Sequence, residues 1–259
     1  EVFAGFDFEA QGVMYEEENS SSGYVSYWVN TCHDLKLMAL AYDMIFDSMA
    51  DDDDLCRVLG RAAEEIHQSI QVGILEEALG HPEKYDSNPP DPAFLRIIMK
   101  AVLNWPENSV EGESDFDRLI HDSTGVDGLS GEKGLASYAA LVPVKLADAM
   151  LLFLNLGGRD IEGLLARYPI LKKTYRFHID TWYAATYYPG CGDGGYFGVT
   201  YPEYPGTLPP NYLQKPYFRG RQWFTWKLHE YFDDPDFARA IYLSNGCSID
   251  GTFEHDIFL

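Results

Sequence analysis

Asp127–Tyr138 reads DGLSGEKGLASY and runs straight into YAALVPVKLADAMLLFLNL, Tyr138–Leu156. The second stretch is apolar apart from Lys145 and Asp148 and shows no strand alternation, so it reads as a buried helix. The two charges break it below the run of about 18 apolar residues that a membrane span needs. The stretch before it is longer than a helix-to-helix connection requires, where about four residues are usual. Gly128, Gly131 and Gly134 open backbone conformations closed to other residues. One reading is an ordinary connection capped by Ser130 or Ser137. The other is a positioned loop that delivers Glu132, Lys133 and Tyr138 to the mouth of the helix.

Outward from this point the helical period recurs. Towards the N-terminus, Leu37, Met38, Ala41, Met44 and Ile45 mark a helix capped by Asp34 and ending near Ser48. Leu55, Val58, Leu59, Ala62, Ile66, Ile70, Ile74 and Leu79 mark a long one that contains Gly73 and stops at Gly80 and Pro82. Asp91 is placed to cap a helix over 92–103, and a short helix covers 114–121. Towards the C-terminus, helices are expected over 159–178, 222–232 and 235–243, with a proline-rich loop after Phe197. Residues 1–30 read as irregular. The expected fold class is therefore all-α, successive antiparallel helix pairs in a single domain over 1–259, with no internal boundary and no sequence repeat.

Composition narrows the function. With 41 acidic against 19 basic side chains the formal net charge is −22, which repels nucleic acid and anionic lipid. Residues 130–176 are the exception, with seven Lys and Arg against four Asp and Glu. An anionic small ligand or polymer could be received there. Cys32, Cys56, Cys191 and Cys247 form no C-x-x-C pair, which argues against a zinc ribbon or a redox motif and leaves their pairing open. Asp51–Asp54 reads as a solvated, dipole-favoured helix start, because a calcium loop needs alternating ligands and a glycine turn. No metal site and no cofactor is expected, and oligomeric state is left open. No basic-then-apolar leader occurs in the chain.

Two further stretches concentrate chemistry. Tyr175–Gly198, YRFHIDTWYAATYYPGCGDGGYFG, gathers Arg176, His178, Asp180, Trp182, Tyr187, Tyr188 and Asp193. Such a density of rings and ionisable groups suits a sugar-binding cleft, although a buried, hydrogen-bonded helix histidine explains His178 equally well. In SNPPDPAFLRIIMKAVLNWP, Asn88 precedes two prolines and is held extended before a helix start, as a turn asparagine would also be.

Taken in order, the helix phrase MALAYD at Met38–Asp43, the SNPP segment, DGLSGEKGLASY, and YRFHIDTW with the YYPGCGDGGYFG loop resemble the heparinase II/III-like polysaccharide lyases. The resemblance covers about Cys32 to Asp256. It implies an α/α toroid, incomplete here and without the family's C-terminal β-sandwich, and cleavage of uronic-acid polysaccharides by β-elimination. It also implies a periplasmic or secreted location and an acidic polysaccharide or oligosaccharide as partner. By motif position it implies Tyr138 as the catalytic tyrosine, Asn88 as the asparagine that neutralises the uronate carboxylate, and His178 as a base or second neutraliser. Glu132, Lys133, Arg176, Trp182, Tyr187, Tyr188 and Asp193 would line the cleft. Three groups acting on one sugar ring must converge, so Asn88, Tyr138 and His178 are expected on one rim.

Two other classes stay open on the residues alone. A glycoside hydrolase on an α/α barrel needs paired carboxylates, which Glu132, Asp180 and Asp193 could supply. A non-catalytic carbohydrate-binding protein needs only the stacking surfaces of Trp182 and the tyrosines.

Overall fold

The computed structural model describes residues 28–49, 52–82, 85, 89–104, 106–129, 138–156, 159–183, 186–187, 222–244 and 247–248. The protein is all-α, with helices packed on helices, as the periodicity predicts. Contacts divide it into two compact units, Glu1–Phe116 and Asp117–Leu259, where the sequence reading saw no boundary.

In the first unit, α1 spans Trp28–Met49 and begins before the expected Asp34 cap. It packs on α5, Asp91–Asn104, through Leu35, Met38, Ala39 and Tyr42. From α5 come Phe94, Leu95, Ile97, Ile98 and Met99, all buried. Each aliphatic side chain so removed from water contributes about 1.5–3 kcal/mol.

The long helix expected over 55–79 is instead broken. Asp52 caps α2, Asp53–Leu59, by accepting the Leu55 N–H at 2.8 Å, so the acidic run is a helix start. Gly60 then ends that helix at φ +64, donating its N–H to the Cys56 carbonyl. The left-handed turn suits a residue without Cβ, and the apolar spacing merely continues across it. α3, Ala63–Ile70, starts afresh, with the Glu65 carboxylate accepting the Ala62 N–H at 3.1 Å. It passes into a π-helical turn, Gln71–Glu76, that contains Gly73, and then into α4, Glu77–Gly80. On α5, Lys100 reaches Asp115 of α6, Ser109–Ser123, at 2.6 Å, which pairs a carboxylate that is otherwise buried.

In the second unit, α7 is Tyr138–Asn155, the helix predicted from its apolar run. Pro143 lies inside it and cannot donate to the carbonyl of Ala139 one turn back. The single helix expected over 159–178 is two: α8, Ile161–Arg167, and α9, Ile170–Asp180. Pro169 separates them, since a proline nitrogen has no hydrogen to continue the ladder of α8 but is suited to a helix start. A hairpin of two-residue strands follows, β1 Trp182–Tyr183 and β2 Thr186–Tyr187, with Trp182 opposite Tyr187. α10, Gln222–Phe232, and α11, Pro235–Ser244, pack on each other and on α9. Leu171, Tyr175, Phe224, Leu228, Phe237 and Ile241 form the core there. Among the described residues no helix is long and apolar enough to cross a membrane.

Candidate functional site

The glycine segment begins where α6 ends. Thr124 Oγ1 donates to the Ile120 carbonyl at 2.7 Å, and the chain then doubles back, with Gly128 N–H on the Gly125 carbonyl at 2.9 Å and Gly125 N–H on the Leu129 carbonyl at 2.6 Å. Asp127 Oδ1 accepts the Leu129 N–H at 3.0 Å, an aspartate holding its own turn. Gly128 sits at φ +99 with its α-carbon pressed on α9. A Cβ there would lie 2.2 Å from the Lys173 carbonyl oxygen and 2.5 Å from its carbon. Only glycine allows both the backbone angle and the approach. The Lys173 ammonium lies 3.4 Å from the Val126 carbonyl on the same turn. The start of the DGLSGEKG stretch is thus seated on the helix that carries Arg176 and His178.

A second tie joins α9 to α7. Tyr175 Oη donates to the Pro143 carbonyl at 2.5 Å, inside the core. Complete burial, with the charge of Asp148 nearby, pushes that phenol well above its ordinary value, so it is a structural hydroxyl.

Leu171, Thr174, Tyr175 and His178 recur at helical spacing and form the buried face of α9. His178 is completely buried, and burial lowers its pKa from 6.5 to about 3. The ring is therefore neutral at any ordinary pH. Arg176 faces the other way and is already engaged. Its Nε reaches Asp180 at 2.8 Å, and its Nη1 reaches Asp234 at 3.0 Å and Asp236 at 2.6 Å. Partial burial pulls the guanidinium pKa down, but the Asp236 hydrogen bond and the charges of Asp180, Asp234 and Asp236 outweigh it and raise it. Lys172 adds a contact to Asp234 at 3.6 Å and lies 4.9 Å from the Phe232 ring centre. Together they fasten the α10–α11 turn to α9.

Beside the glycine turn the second unit carries a cleft of about 470 Å³. Asp117, Ile120, His121 and Thr124 form one wall, and Arg167, Tyr168 and Ile170 the other. Asp117 accepts from Arg167 Nη2 at 2.7 Å and from Tyr168 Oη at 2.5 Å across it. Sequence reasoning missed this cleft, because the partners stand fifty residues apart and no local period reports the pairing. The visible signal was the Arg167–Tyr168 pair inside the one basic stretch.

Of the other predicted site residues, Tyr138 is the first residue of α7, and Trp182 and Tyr187 are register partners in the hairpin backbone. Asn88, Glu132, Lys133, Tyr188 and Asp193 lie outside the described residues. Among the described residues no three metal-ligating side chains cluster. No protein-family model, curated protein or solved structure matches the chain.

Proposed function

We propose that this chain is the helical part of a polysaccharide lyase that opens uronic-acid-containing chains by β-elimination, with Tyr138 exchanging the protons. In that reaction a base removes the proton at C5, the electron pair becomes the C4–C5 double bond, the C4–O4 bond breaks, and an acid protonates O4. The fold that goes with this reading is an α/α toroid built of antiparallel helix pairs.

The observation that carries the reading is the seating of Gly128 on Lys173. It gives a physical purpose to the first glycine of the stretch that leads to Tyr138, and it ties that stretch to a helix with an exposed lysine. A phenol with an ordinary pKa of about 10 needs a cationic setting to act as base. Arg167, Lys172 and Arg176 are engaged by carboxylates, so the cation this reading invokes on α9 is Lys173, at the glycine turn. The first turn of α7 adds the positive end of a helix, which favours an anion there by about 0.3–1 kcal/mol.

In this reading His178 is not the base. A fully buried ring does not meet a polymer, and one that protonates only at about pH 3 is a poor acceptor of a carbon-bound proton. Arg176, held by carboxylates on α9 and α11, braces the fold rather than the sugar. The test is a panel of uronate polymers incubated with the protein. Elimination leaves an unsaturated sugar end that absorbs in the near ultraviolet, whereas hydrolysis adds water without that chromophore.

A further inference from the structure

α1 is apolar on two opposite faces, and its own unit covers one of them. Leu35, Met38, Ala39 and Tyr42 are buried, while Leu37, Met44 and Ile45 are 47%, 70% and 40% exposed. At 100° per residue Leu37, Ala41 and Met44 fall in one stripe with Leu40 and Ile45 on its flanks. An apolar stripe on a helix ordinarily faces a packing partner. The edge of this stripe is acidic, since Asp43 and Asp47 are exposed beside it and Asp52, Asp53 and Asp54 are exposed just beyond the helix end. Residues 34–54 contain seven Asp and a single Lys. That lysine, Lys36, is turned towards the Phe94 ring, 5.7 Å from its centre. The last turn of α1 carries no basic residue, so the negative end of the helix dipole adds to the aspartates instead of being offset.

We propose that the outer face of α1 is a docking surface for a cationic amphipathic helix of a partner protein, whose apolar side covers Leu37 and Met44 and whose Lys or Arg side chains meet Asp43 and Asp47. Charge selects this occupant. A second copy of the chain would set two acidic edges against each other, and like charges across an interface are costly. Two helices packed along such a face interdigitate side chains at i, i+3, i+4 and i+7, the spacing that Leu37, Leu40, Ala41 and Met44 present.

The experiment measures fluorescence anisotropy with a labelled synthetic helical peptide that has Leu at i, i+3, i+4 and i+7 and Lys elsewhere. A scramble of the same composition and a version with Glu for Lys serve as comparators. Binding is expected for the amphipathic cationic peptide alone, weakened by salt. It should fall about tenfold or more with Met44→Glu, which replaces an exposed side chain and leaves folding intact. Val110→Glu on α6, where Val110 is 80% exposed, makes the same charge change elsewhere and should leave binding unchanged. Equal binding of the scramble, or binding that Met44→Glu leaves unchanged or tightens, would overturn the proposal as mere charge attraction, and equal loss with Val110→Glu would overturn it by showing that the loss does not report on this face. A dimer in sedimentation that Met44→Glu dissociates would overturn it in favour of a second copy. Attachment to zwitterionic lipid vesicles that Met44→Glu abolishes would overturn it in favour of a membrane.

Discussion

Replacing Gly128 by alanine tests the contact on which the site's architecture rests. The added methyl would stand 2.2 Å from the Lys173 carbonyl oxygen and 2.5 Å from its carbon, where real side-chain carbons stay beyond 3.0 Å. Both neighbours are backbone of α9, so relief requires the turn or the helix to move by most of an ångström. The backbone angle of +99° adds its own penalty, because a Cβ crowds the carbonyl in that region. Overpacking costs about 1–3 kcal/mol, and a non-glycine residue on the left-handed side about 1–2 kcal/mol. Together these give a loss of about 2–5 kcal/mol. At about 2–4 °C per kcal/mol for a protein of this size, the midpoint of thermal unfolding should drop by about 4–20 °C. The assay is urea and thermal unfolding followed by far-ultraviolet circular dichroism. Gly73→Ala is the control, since no atom lies within 4 Å of the point its methyl would occupy and its backbone is helical. That change should be neutral or stabilise by up to about 1 kcal/mol. If Gly128→Ala proved as harmless as Gly73→Ala, the seating of the turn on α9 would be wrong.

Two further outcomes concern α9. An unfolded histidine takes up a proton near pH 6.5, whereas folded His178 resists until about pH 3, so its share of stability is present above 6.5 and is lost as pH falls. The slope from this group should reach at most about 1.4 kcal/mol per pH unit between those values. Urea midpoints measured across that range should fall less steeply for His178→Gln, and an unchanged slope would refute the burial. Arg176→Met should cost about 1–2 kcal/mol, because Asp180, Asp234 and Asp236 lose their shared cation, and less in about 1 M salt. If instead stability held and KM for a uronate polymer rose, Arg176 would be a sugar-binding residue.

The helices were readable because their apolar spacing is strong. Gln222–Phe232 agrees to the residue, and the run from Tyr138 ends within a residue of expectation. Breaks were harder. The spacing of Leu55 to Leu79 continues through Gly60, so only the glycine's left-handed angle separates α2 from α3. Pro169 does the same between α8 and α9, where the apolar pattern again persists. On α1 the period itself is ambiguous, since Leu37, Met44 and Ile45 repeat as regularly as Leu35, Met38 and Tyr42, and a repeat does not say which face meets a neighbour. At the candidate site, the glycines announced a special turn, but its resting place on Lys173 is a contact across 45 residues that no window spans. The burial of His178 was present in the spacing of Leu171, Thr174 and Tyr175, and the sequence reading held it level with a catalytic role.

The central claim is elimination with Tyr138 moving the protons, and one comparison tests it most directly. The protein and its Tyr138→Phe variant are incubated with the same uronate polymer while near-ultraviolet absorbance is followed. Deleting the phenol oxygen removes acid and base help worth about 10² to 10⁴ in rate. The loss should fall on kcat, with KM and the unfolding midpoint little changed. An unsaturated product is expected from the native protein and none at a comparable rate from the variant. Equal rates from the two, or a product whose mass shows added water and no new absorbance, would contradict elimination at Tyr138.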